Sequence, residues 1–271
     1  MSESALIGAT GFVGSTLLRQ RAFAAHYNSR NIDAIQGQAH ELLVCAGAPA
    51  QKWLANREPE QDRAGLARLM HALAHVAARR FVLISTVDVF AHPVAVDEAT
   101  PITTPGLHAY GRHRYELEQF VRGRFPDALI VRLPGLVGPG LRKNVIFDLH
   151  NANNLAQVDG RAVFQFYPMV NLWADLEAAL AQSLTLLHLT AAPIDVATLA
   201  HDGFGVSMSN VLPAEPPRYD FRSLHAQNHY QYDRAATLLA VRAYAQSEPR
   251  TGNAVATGST VVEPHEGKVS P

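Results

Sequence analysis

The sequence has little cysteine, little net charge and no long apolar run. Cys45 is the single cysteine among 271 residues, which excludes an intrachain disulfide and a cysteine-rich zinc site. The formal net charge is -1, so no global positive field attracts nucleic acid or an anionic membrane. No apolar run reaches the roughly 18 residues that a membrane-spanning helix needs. Recognition of any phosphate group must therefore be local.

The first residues also lack the features of a targeting segment. Met1 to Ala5 lead directly into an apolar strand, without a basic region or an apolar region of signal length. Cys45 lies in an apolar stretch and is expected to be a core residue, which suits a reducing compartment. We expect a cytoplasmic protein with no nucleic-acid partner and no membrane partner.

Short apolar runs alternate with helical patterns through residues 1–140. Such alternation predicts a parallel sheet with helices on both faces, because parallel neighbours need a crossover connection. The predicted strands are Ala5–Gly8, Glu41–Ala46, Arg80–Thr86 and Ala128–Leu133, and the predicted helices are Val13–Arg21, Glu60–Ala78 and Ala109–Arg124. The predicted fold class is α/β, with a doubly wound parallel sheet of the Rossmann type over residues 1–140.

The pattern is looser beyond residue 140. Helices are predicted over about Leu172–Leu187 and Tyr232–Gln246, with proline-rich loops between them. We interpret residues 141–246 as a small C-terminal substrate lobe, part of which returns to the first domain. Residues 247–271 contain no aromatic residue and no sustained periodicity, which predicts a disordered tail.

Three glycines follow the first predicted strand at a spacing of three residues: Gly8, Gly11 and Gly14. The first allows a tight turn, the second lets the backbone approach a pyrophosphate, and the third permits close packing of the helix on the sheet. The strand, loop and helix context is the one that this motif requires. The sequence therefore predicts a dinucleotide site, and the alternative is a glycine-rich turn without a ligand. The loop residues expected at the cofactor are Gly8, Thr10, Gly11, Phe12, Val13 and Gly14.

The residue that reads the adenosine ribose is expected after the second strand. NAD-binding proteins usually place an acid there, but this chain has no carboxylate between Tyr27 and Asp33. Arg30 can pair with a 2′-phosphate, and Ser29 can add a hydrogen bond. We therefore predict NADP as the cofactor, with NAD possible. The alternative is that Arg30 is a solvated loop residue.

Further motifs follow in a fixed order along the chain. A strand that ends in Ser85-Thr86 is followed by an acidic loop, by Tyr110 with Arg114 four positions later, and by Arg132-Leu133-Pro134. Over residues 5–175 this order resembles the extended short-chain dehydrogenase/reductase family, also called the NAD-dependent epimerase/dehydratase family. The segments that carry the resemblance are 84–90, 96–101, 110–118, 132–134 and 138–140, with a weaker match at 172–176.

The resemblance implies a catalytic set of Thr86, Tyr110 and Arg114. In the family's mechanism the tyrosine exchanges a proton with a substrate hydroxyl or carbonyl group while hydride moves to or from nicotinamide. Thr86 would hydrogen-bond the same oxygen, and Arg114 would hold the nicotinamide ribose and lower the tyrosine pKa. Residues four apart share a helical face, so Tyr110 and Arg114 can both face one site.

The resemblance implies other contacts as well. The cofactor set adds Ala46, Gly47, Ser85, Tyr110, Arg114 and Pro134, and the substrate set is Asp88, Arg142, Lys143 and Asn144. In relatives the region of the last three faces a nucleotide diphosphate, and a solvated basic turn stays an open alternative. A homodimer through the helices Glu60–Ala78 and Ala109–Arg124 is also implied. No metal is expected, because His71 and His75 lack a third ligand.

Two positions depart from the family pattern. Arg114 stands where the family has lysine, and the segment Glu60 to Gly65 lacks the asparagine that relatives commonly show near the start of this helix. A cation about 5 Å away in an effective dielectric of about 20 stabilises a phenolate by about 3 kcal/mol, so arginine can supply the charge. Arginine cannot pass protons along a relay, because it stays protonated.

Two hypotheses follow from the sequence. The first is an NAD(P)-dependent oxidoreductase or epimerase acting on a hydroxyl or carbonyl substrate, a nucleotide sugar by resemblance, with Tyr110 as acid/base. The second is a non-catalytic NAD(P)-binding regulatory or scaffold protein of the same fold. The discriminating feature is whether Tyr110 faces Thr86 at the cofactor pocket.

Overall fold

The computed structural model describes residues 2–251, and a six-stranded parallel sheet lies at its centre. The strands are β1 (Ser2–Ile7), β2 (Ala25–Tyr27), β3 (Ala39–Cys45), β4 (Ala77–Thr86), β5 (Val94–Val96), β6 (Leu129–Leu133), β7 (Gly135–Val137), β8 (Val163–Phe164), β9 (Phe166–Pro168), β10 (Leu186–His188), β11 (Ile194–Asp195) and β12 (Asp220–Phe221). The central sheet has the order β10-β6-β4-β3-β1-β2, with all neighbours parallel.

Helices cover both faces of this sheet. They are α1 (Phe12–Gln20), α2 (Lys52–Arg57), α3 (Pro59–Ala74), α4 (Ala109–Arg124), α5 (Val145–Asn151), α6 (Leu172–Ala181), α7 (Val196–Phe204) and α8 (Arg234–Ser247). Side chains of β1 alternate between the two faces: Ile7 packs in the core beneath α3 and α4, whereas Leu6 packs in the core beneath α1 and α6. Two cores on opposite faces are what a doubly wound sheet requires, so the predicted fold class is confirmed.

The later part of the chain forms a smaller cluster with its own core. Helices α5, α7 and α8 enclose buried residues such as Ile146, Leu199 and Val241. Three two-stranded pairs, β7 with β9, β8 with β11 and β5 with β12, connect this cluster to the large sheet. Strand β10 returns to the central sheet beside β6. The domain boundary at residue 140 itself remains a prediction.

Two predicted helices end earlier than expected. The helix predicted over Glu60–Ala78 ends at Ala74, because Ala77 and Ala78 already pair with β3 as the start of β4. The helix predicted over Leu172–Leu187 ends at Ala181, and its last residues form β10 instead. Alanine-rich and leucine-rich runs favour helix by composition, and pairing with a neighbouring strand outweighs that preference.

The connection between β2 and β3 is short. It contains one turn of 3-10 helix, Ile32–Ile35, where the other crossovers of the sheet carry α-helices. Strand β2 therefore ends the sheet beside β1 and leaves the loop 28–31 exposed at the edge.

The predicted tail is described only in its first residues. Ser247 ends α8, and the carboxylate of Glu248 accepts a hydrogen bond from the Gly140 N–H at 2.7 Å. Residues 252–271 lie outside the described part of the chain. Among residues 2–251, no helix has the length and hydropathy needed to cross a membrane.

Candidate active site

The glycine loop packs closely against its surroundings. A Cβ atom on Gly8, whose φ is +88°, would lie 2.2 Å from the Ala46 carbonyl oxygen, and one on Gly14 would lie 2.1 Å from the Gly8 carbonyl oxygen. Gly11, the N-cap of α1, is exposed and provides no side-chain cap. The first N–H groups of α1 therefore lie at an open helix N-terminus, which fits a phosphate group.

The loop lies where the strand order reverses. Gly8 follows β1, whereas Ala46 and Gly47 follow β3 on one side of it and β2 lies on the other side. Open α/β sheets bind ligands in the crevice at this position. Thr86 ends β4 and Pro134 follows β6, so both lie at the same carboxyl edge. The structure thus brings most of the predicted cofactor residues to one crevice.

The loop after β2 contains Ser29 and Arg30, the two residues predicted to favour NADP over NAD. Ser29 and Arg30 are exposed, and the Asn28 side chain accepts a hydrogen bond from the Arg30 N–H at 2.8 Å. Arg68 of α3 donates to the Ser29 carbonyl oxygen at 3.0 Å and pairs with Asp33 at 2.5 Å. A second guanidinium group therefore lies beside the predicted ribose loop. Sequence reasoning missed it, because Arg68 is far along the chain from this loop.

The first turn of α4 fixes Tyr110 beside Thr86. The His108 ring nitrogen caps the helix by accepting from the Gly111 N–H at 3.0 Å. A Cβ atom on Gly111 would lie 2.0 Å from the Asp88 carbonyl oxygen, so the helix start is packed against the end of β4. Tyr110 is 8% exposed, and the Thr86 side chain lies close enough to its phenol to lower the phenol pKa. The two predicted catalytic side chains therefore meet.

The net shift of the Tyr110 pKa is upward. Burial raises it, and the Asp88 carboxylate adds to the rise. The Arg114 charge, the Thr86 side chain and the Lys52 charge lower it, but burial outweighs them. Arg114 thus acts on the Tyr110 pKa in the direction that the resemblance implies, although the net shift is upward. At neutral pH the phenol is protonated and can act as a proton donor.

Arg114 lies beneath the Tyr110 ring and not at its hydroxyl group. Its guanidinium carbon is 3.9 Å from the ring centroid, and both terminal nitrogens contact Asp62, at 2.5 and 2.8 Å. It also donates to the carbonyl oxygens of Pro49, at 2.5 Å, and Tyr110, at 3.3 Å. The remaining Nε–H is buried, and the side chain is 2% exposed. The Nε–H of Arg114 is the one guanidinium donor without a hydrogen-bond partner among the described residues, and the expected contact of Arg114 with the nicotinamide ribose stays a prediction.

An ammonium group reaches the site from α2. Lys52 Nζ lies 2.7 Å from Asp88 Oδ1, and its side chain is 40% exposed. Asn56, one turn later on the same helix, accepts a hydrogen bond from the Tyr110 N–H at 2.9 Å. The Tyr219 hydroxyl also contacts Asp88, at 3.4 Å. Lys52 belongs to no motif, and only its place after β3 hinted at a position near the carboxyl edge.

The four predicted substrate residues differ in exposure and in the partners of their side chains. Asp88 faces Lys52, and Lys143 donates to the Ala50 carbonyl oxygen across the mouth of the crevice. Burial lowers the pKa of Lys143, while the Asp88 carboxylate raises it. Arg142 is exposed. Asn144 has a structural role. Its side-chain oxygen caps α5, and its side-chain NH2 group donates to the Leu136 carbonyl oxygen at 2.9 Å.

Ser85 lies on the opposite face of β4 from Thr86. Its hydroxyl donates to Glu118 of α4 at 2.5 Å, and Glu118 forms a bidentate ion pair with Arg132. Consecutive strand residues point to opposite faces, so Ser85 and Thr86 cannot both face the crevice. The Ser85 hydroxyl is engaged by Glu118, and the predicted cofactor contact of Ser85 stays a prediction.

Comparison with known proteins gives structural matches alone. No protein-family model matches the sequence, and no curated protein matches it. The dTDP-4-dehydrorhamnose reductase from Yersinia enterocolitica matches with a TM-score of 0.67 and 16% identity, over 91% of this chain and 99% of that chain. The chain has the fold of this enzyme.

Two further solved structures share that fold. UDP-glucose 4-epimerase from Thermotoga maritima, solved with UDP-glucose, matches with a TM-score of 0.65 and 13% identity, over 90% of this chain and 97% of that chain. RMD from Pseudomonas aeruginosa, complexed with NADPH, matches with a TM-score of 0.67 and 17% identity, over 90% of this chain and 99% of that chain. The fold expected from the family resemblance is confirmed.

Proposed function

We propose that the protein is an NAD(P)-dependent reductase of a carbonyl group, with Tyr110 as the proton donor. The observation that carries this proposal is the protonated, buried Tyr110 phenol beside Thr86, at the same sheet edge as the glycine loop. Reduction of a carbonyl needs a proton donor in the resting state, whereas oxidation of a hydroxyl needs a base. The buried Tyr110 phenol is protonated at neutral pH, so it is in the form that reduction of a carbonyl uses.

The chemistry divides between cofactor and protein. A bound reduced nicotinamide supplies hydride to the carbonyl carbon. Tyr110 donates its phenolic proton to the carbonyl oxygen, and Thr86 hydrogen-bonds the same oxygen. The product carries a new C–H bond and a new O–H bond, and the phenolate recovers a proton from solvent. The Lys52 ammonium group, which acts on Tyr110 through space, stabilises the phenolate in the interval.

The cofactor of this proposal is NADPH. The open N-terminus of α1 at Gly11 fits the pyrophosphate, and Arg30 with Arg68 offers guanidinium groups for a 2′-phosphate. A neighbour of the same fold is complexed with NADPH. A nucleotide sugar is the proposed substrate, because the neighbours' names include dTDP-4-dehydrorhamnose reductase and UDP-glucose 4-epimerase. Arg142 and Lys143 at the mouth supply positive charge for its diphosphate.

A second candidate function is a non-catalytic dinucleotide-binding protein. The observation that favours it is the buried ion pair of Arg114 with Asp62, which engages both terminal nitrogens of the cation that stands in place of the family's lysine. Under this alternative the glycine loop still binds the cofactor, but Tyr110 has no partner in proton transfer.

One assay separates the two. Purified protein is mixed with NADPH and dTDP-4-dehydrorhamnose or other nucleotide-linked keto sugars, and NADPH fluorescence is followed with time. The reductase proposal expects consumption of NADPH that depends on the sugar. Binding of NADPH without consumption across the whole panel would support the non-catalytic alternative.

A further inference from the structure

Arg114, which departs from the family pattern, meets a residue of the Glu60 to Gly65 segment, Asp62. Asp62 lies in the first turn of α3, and Arg114 lies in the second turn of α4. Their side chains form a bidentate ion pair, and only 5% and 2% of their side-chain surfaces are exposed. His113 also contacts the same carboxylate, at 2.7 Å from Asp62 Oδ2. The carboxylate of α3 therefore holds two neighbouring side chains of α4.

The ion pair lies directly against the tyrosine. The guanidinium carbon of Arg114 is 3.9 Å from the Tyr110 ring centroid, which places the cation over the ring face. A bidentate carboxylate fixes the plane of a guanidinium group more tightly than one contact does. The contact with the Pro49 carbonyl oxygen, at 2.5 Å, restrains Arg114 from a third direction. These contacts fix the position and plane of the Arg114 guanidinium group against the Tyr110 ring.

We propose that Asp62 is the positioning residue of the Tyr110 site: it orients Arg114 against the ring and partly cancels the charge that the phenol experiences. Removing Asp62 leaves the nearby cation uncompensated, so ionised Tyr110 becomes easier to form. The catalytic consequence rests on the proposed function, since there Tyr110 donates the proton. The electrostatic effect itself does not depend on turnover.

Other charged groups also act on Tyr110 and must be held constant. Lys52 of α2 and Asp88 after β4 face it from two further elements, and the Thr86 side chain lies beside its phenol. None of these groups has a direct contact with Asp62 among the described hydrogen bonds and ion pairs. A substitution at Asp62 therefore leaves these three groups in place, and besides Arg114 it affects directly only His113, which contacts the same carboxylate.

The test measures the ionisation of Tyr110 without any substrate. The full chain is labelled with 3-fluorotyrosine, which lowers the pKa of every phenol, and the Tyr110 resonance is assigned by its loss in Tyr110→Phe. Its midpoint is then followed by 19F NMR against pH. Asp62→Asn is expected to lower the midpoint by about one pH unit. Asp62→Glu keeps the charge and is expected to stay close to the wild type.

A second variant covers the case in which Asp62→Asn does not fold because it strands a buried cation. Asp62→Asn/Arg114→Met removes both charges together. Because the cation is nearer to the ring than the carboxylate, its loss dominates, and the midpoint is expected to rise above that of the wild type.

An unmoved midpoint in folded Asp62→Asn overturns the inference; if that variant does not fold, a double-variant midpoint equal to that of Arg114→Met alone overturns it. Such a result would leave Asp62 as a structural partner of Arg114. Failure of the proposed function appears elsewhere, as absence of sugar-dependent NADPH consumption by the wild type. The two failures are therefore distinguishable.

Discussion

Lys52 is a partly exposed cation beside Asp88, and its charge lowers the pKa of Tyr110. Lys52→Met is expected to lower kcat/KM by about fivefold, because a partly solvated ammonium group stabilises the transient phenolate by about 1 kcal/mol. Lys52→Arg, the matched control, keeps the charge and should retain most of the rate. The measurement is the pH profile of sugar-dependent NADPH oxidation. Equal profiles for Lys52→Met and the wild type would remove Lys52 from the site.

The preference for NADPH over NADH is predicted to depend on single residues. NADPH is expected to bind more tightly than NADH, because Arg30 is exposed in the loop after β2 and Arg68 lies beside it. Arg30→Ala should remove most of that preference without weakening NADH, since NADH has no 2′-phosphate for it to contact. Calorimetric titration of both cofactors checks this. Equal or tighter binding of NADH to the wild type would contradict it.

At the residue scale, the sequence alone predicts the parts of the site that are local in the chain. The glycine loop and the shared face of Tyr110 and Arg114 follow from spacing and helical periodicity. The contacts of Arg114 with Asp62, and of Lys52 with Asp88, join different elements. No local pattern encodes which side chains of two packed helices meet, so these partners required the structure.

At the scale of elements, the site depends on how closely α4 approaches the end of β4. Gly111→Ala is expected to destabilise the protein by about 2 kcal/mol or more and to impair turnover, because a Cβ atom there would lie 2.0 Å from the Asp88 carbonyl oxygen. The helix start must then shift and carry Tyr110 away from Thr86. Chemical denaturation and the NADPH assay measure the two effects.

Gly65 in α3 is the matched control for that substitution. It also lies within a helix, but a Cβ atom there meets nothing within 4 Å. Gly65→Ala should therefore stabilise the protein by about 0.5–1 kcal/mol through helix propensity, with unchanged turnover. Stabilisation by both alanines would show that the close packing at Gly111 is not needed.

The elements themselves were predictable to different extents. Strands β1, β3, β4 and β6 and helices α1, α3 and α4 follow from their apolar periodicity. The residues of β10 lie in a leucine-rich segment whose pattern predicts a helix. The first two residues of β4 are alanines, and their composition also favours helix. In both cases the partner strand decides the conformation, and a single-sequence pattern does not contain the partner.

At the scale of the whole molecule, a buried polar network joins the central sheet to the segments that follow β5 and β12. His188 at the end of β10 is fully buried, its Nε2 faces an Arg132 nitrogen at 3.2 Å, and its Nδ1 donates to the Arg222 carbonyl oxygen at 2.9 Å. The Glu98 carboxylate accepts hydrogen bonds from the backbone N–H of His188 and from the Ser223 hydroxyl group. A neutral imidazole fits both ring contacts, because Nε2 must accept from a guanidinium group.

Because of this network, the free energy of unfolding is expected to fall as the pH becomes mildly acidic. Burial lowers the pKa of His188 to about 4 from its usual 6.5, with the Arg132 charge acting in the same direction and Glu98 against it. The unfolded chain therefore binds the proton first, and stability falls as pH drops from 6.5 towards 4. The expected loss is about 1 kcal/mol per pH unit within that window.

Denaturant unfolding at several pH values checks this expectation. His188→Gln keeps hydrogen-bonding capacity but cannot titrate, so its stability should be lower at neutral pH and flatter between pH 6.5 and 4. A wild-type stability that stays constant across this window would show that the imidazole is not held neutral by the fold.

The central claim is that Tyr110 donates the proton in a hydride-transfer reaction. The most direct measurement is a single-turnover experiment with saturating NADPH and a nucleotide-linked keto sugar, comparing the wild type with Tyr110→Phe. The account predicts that Tyr110→Phe binds NADPH with nearly unchanged affinity and transfers hydride at least about 100-fold more slowly, because the proton donor alone is lost. A Tyr110→Phe rate equal to that of the wild type would contradict the account.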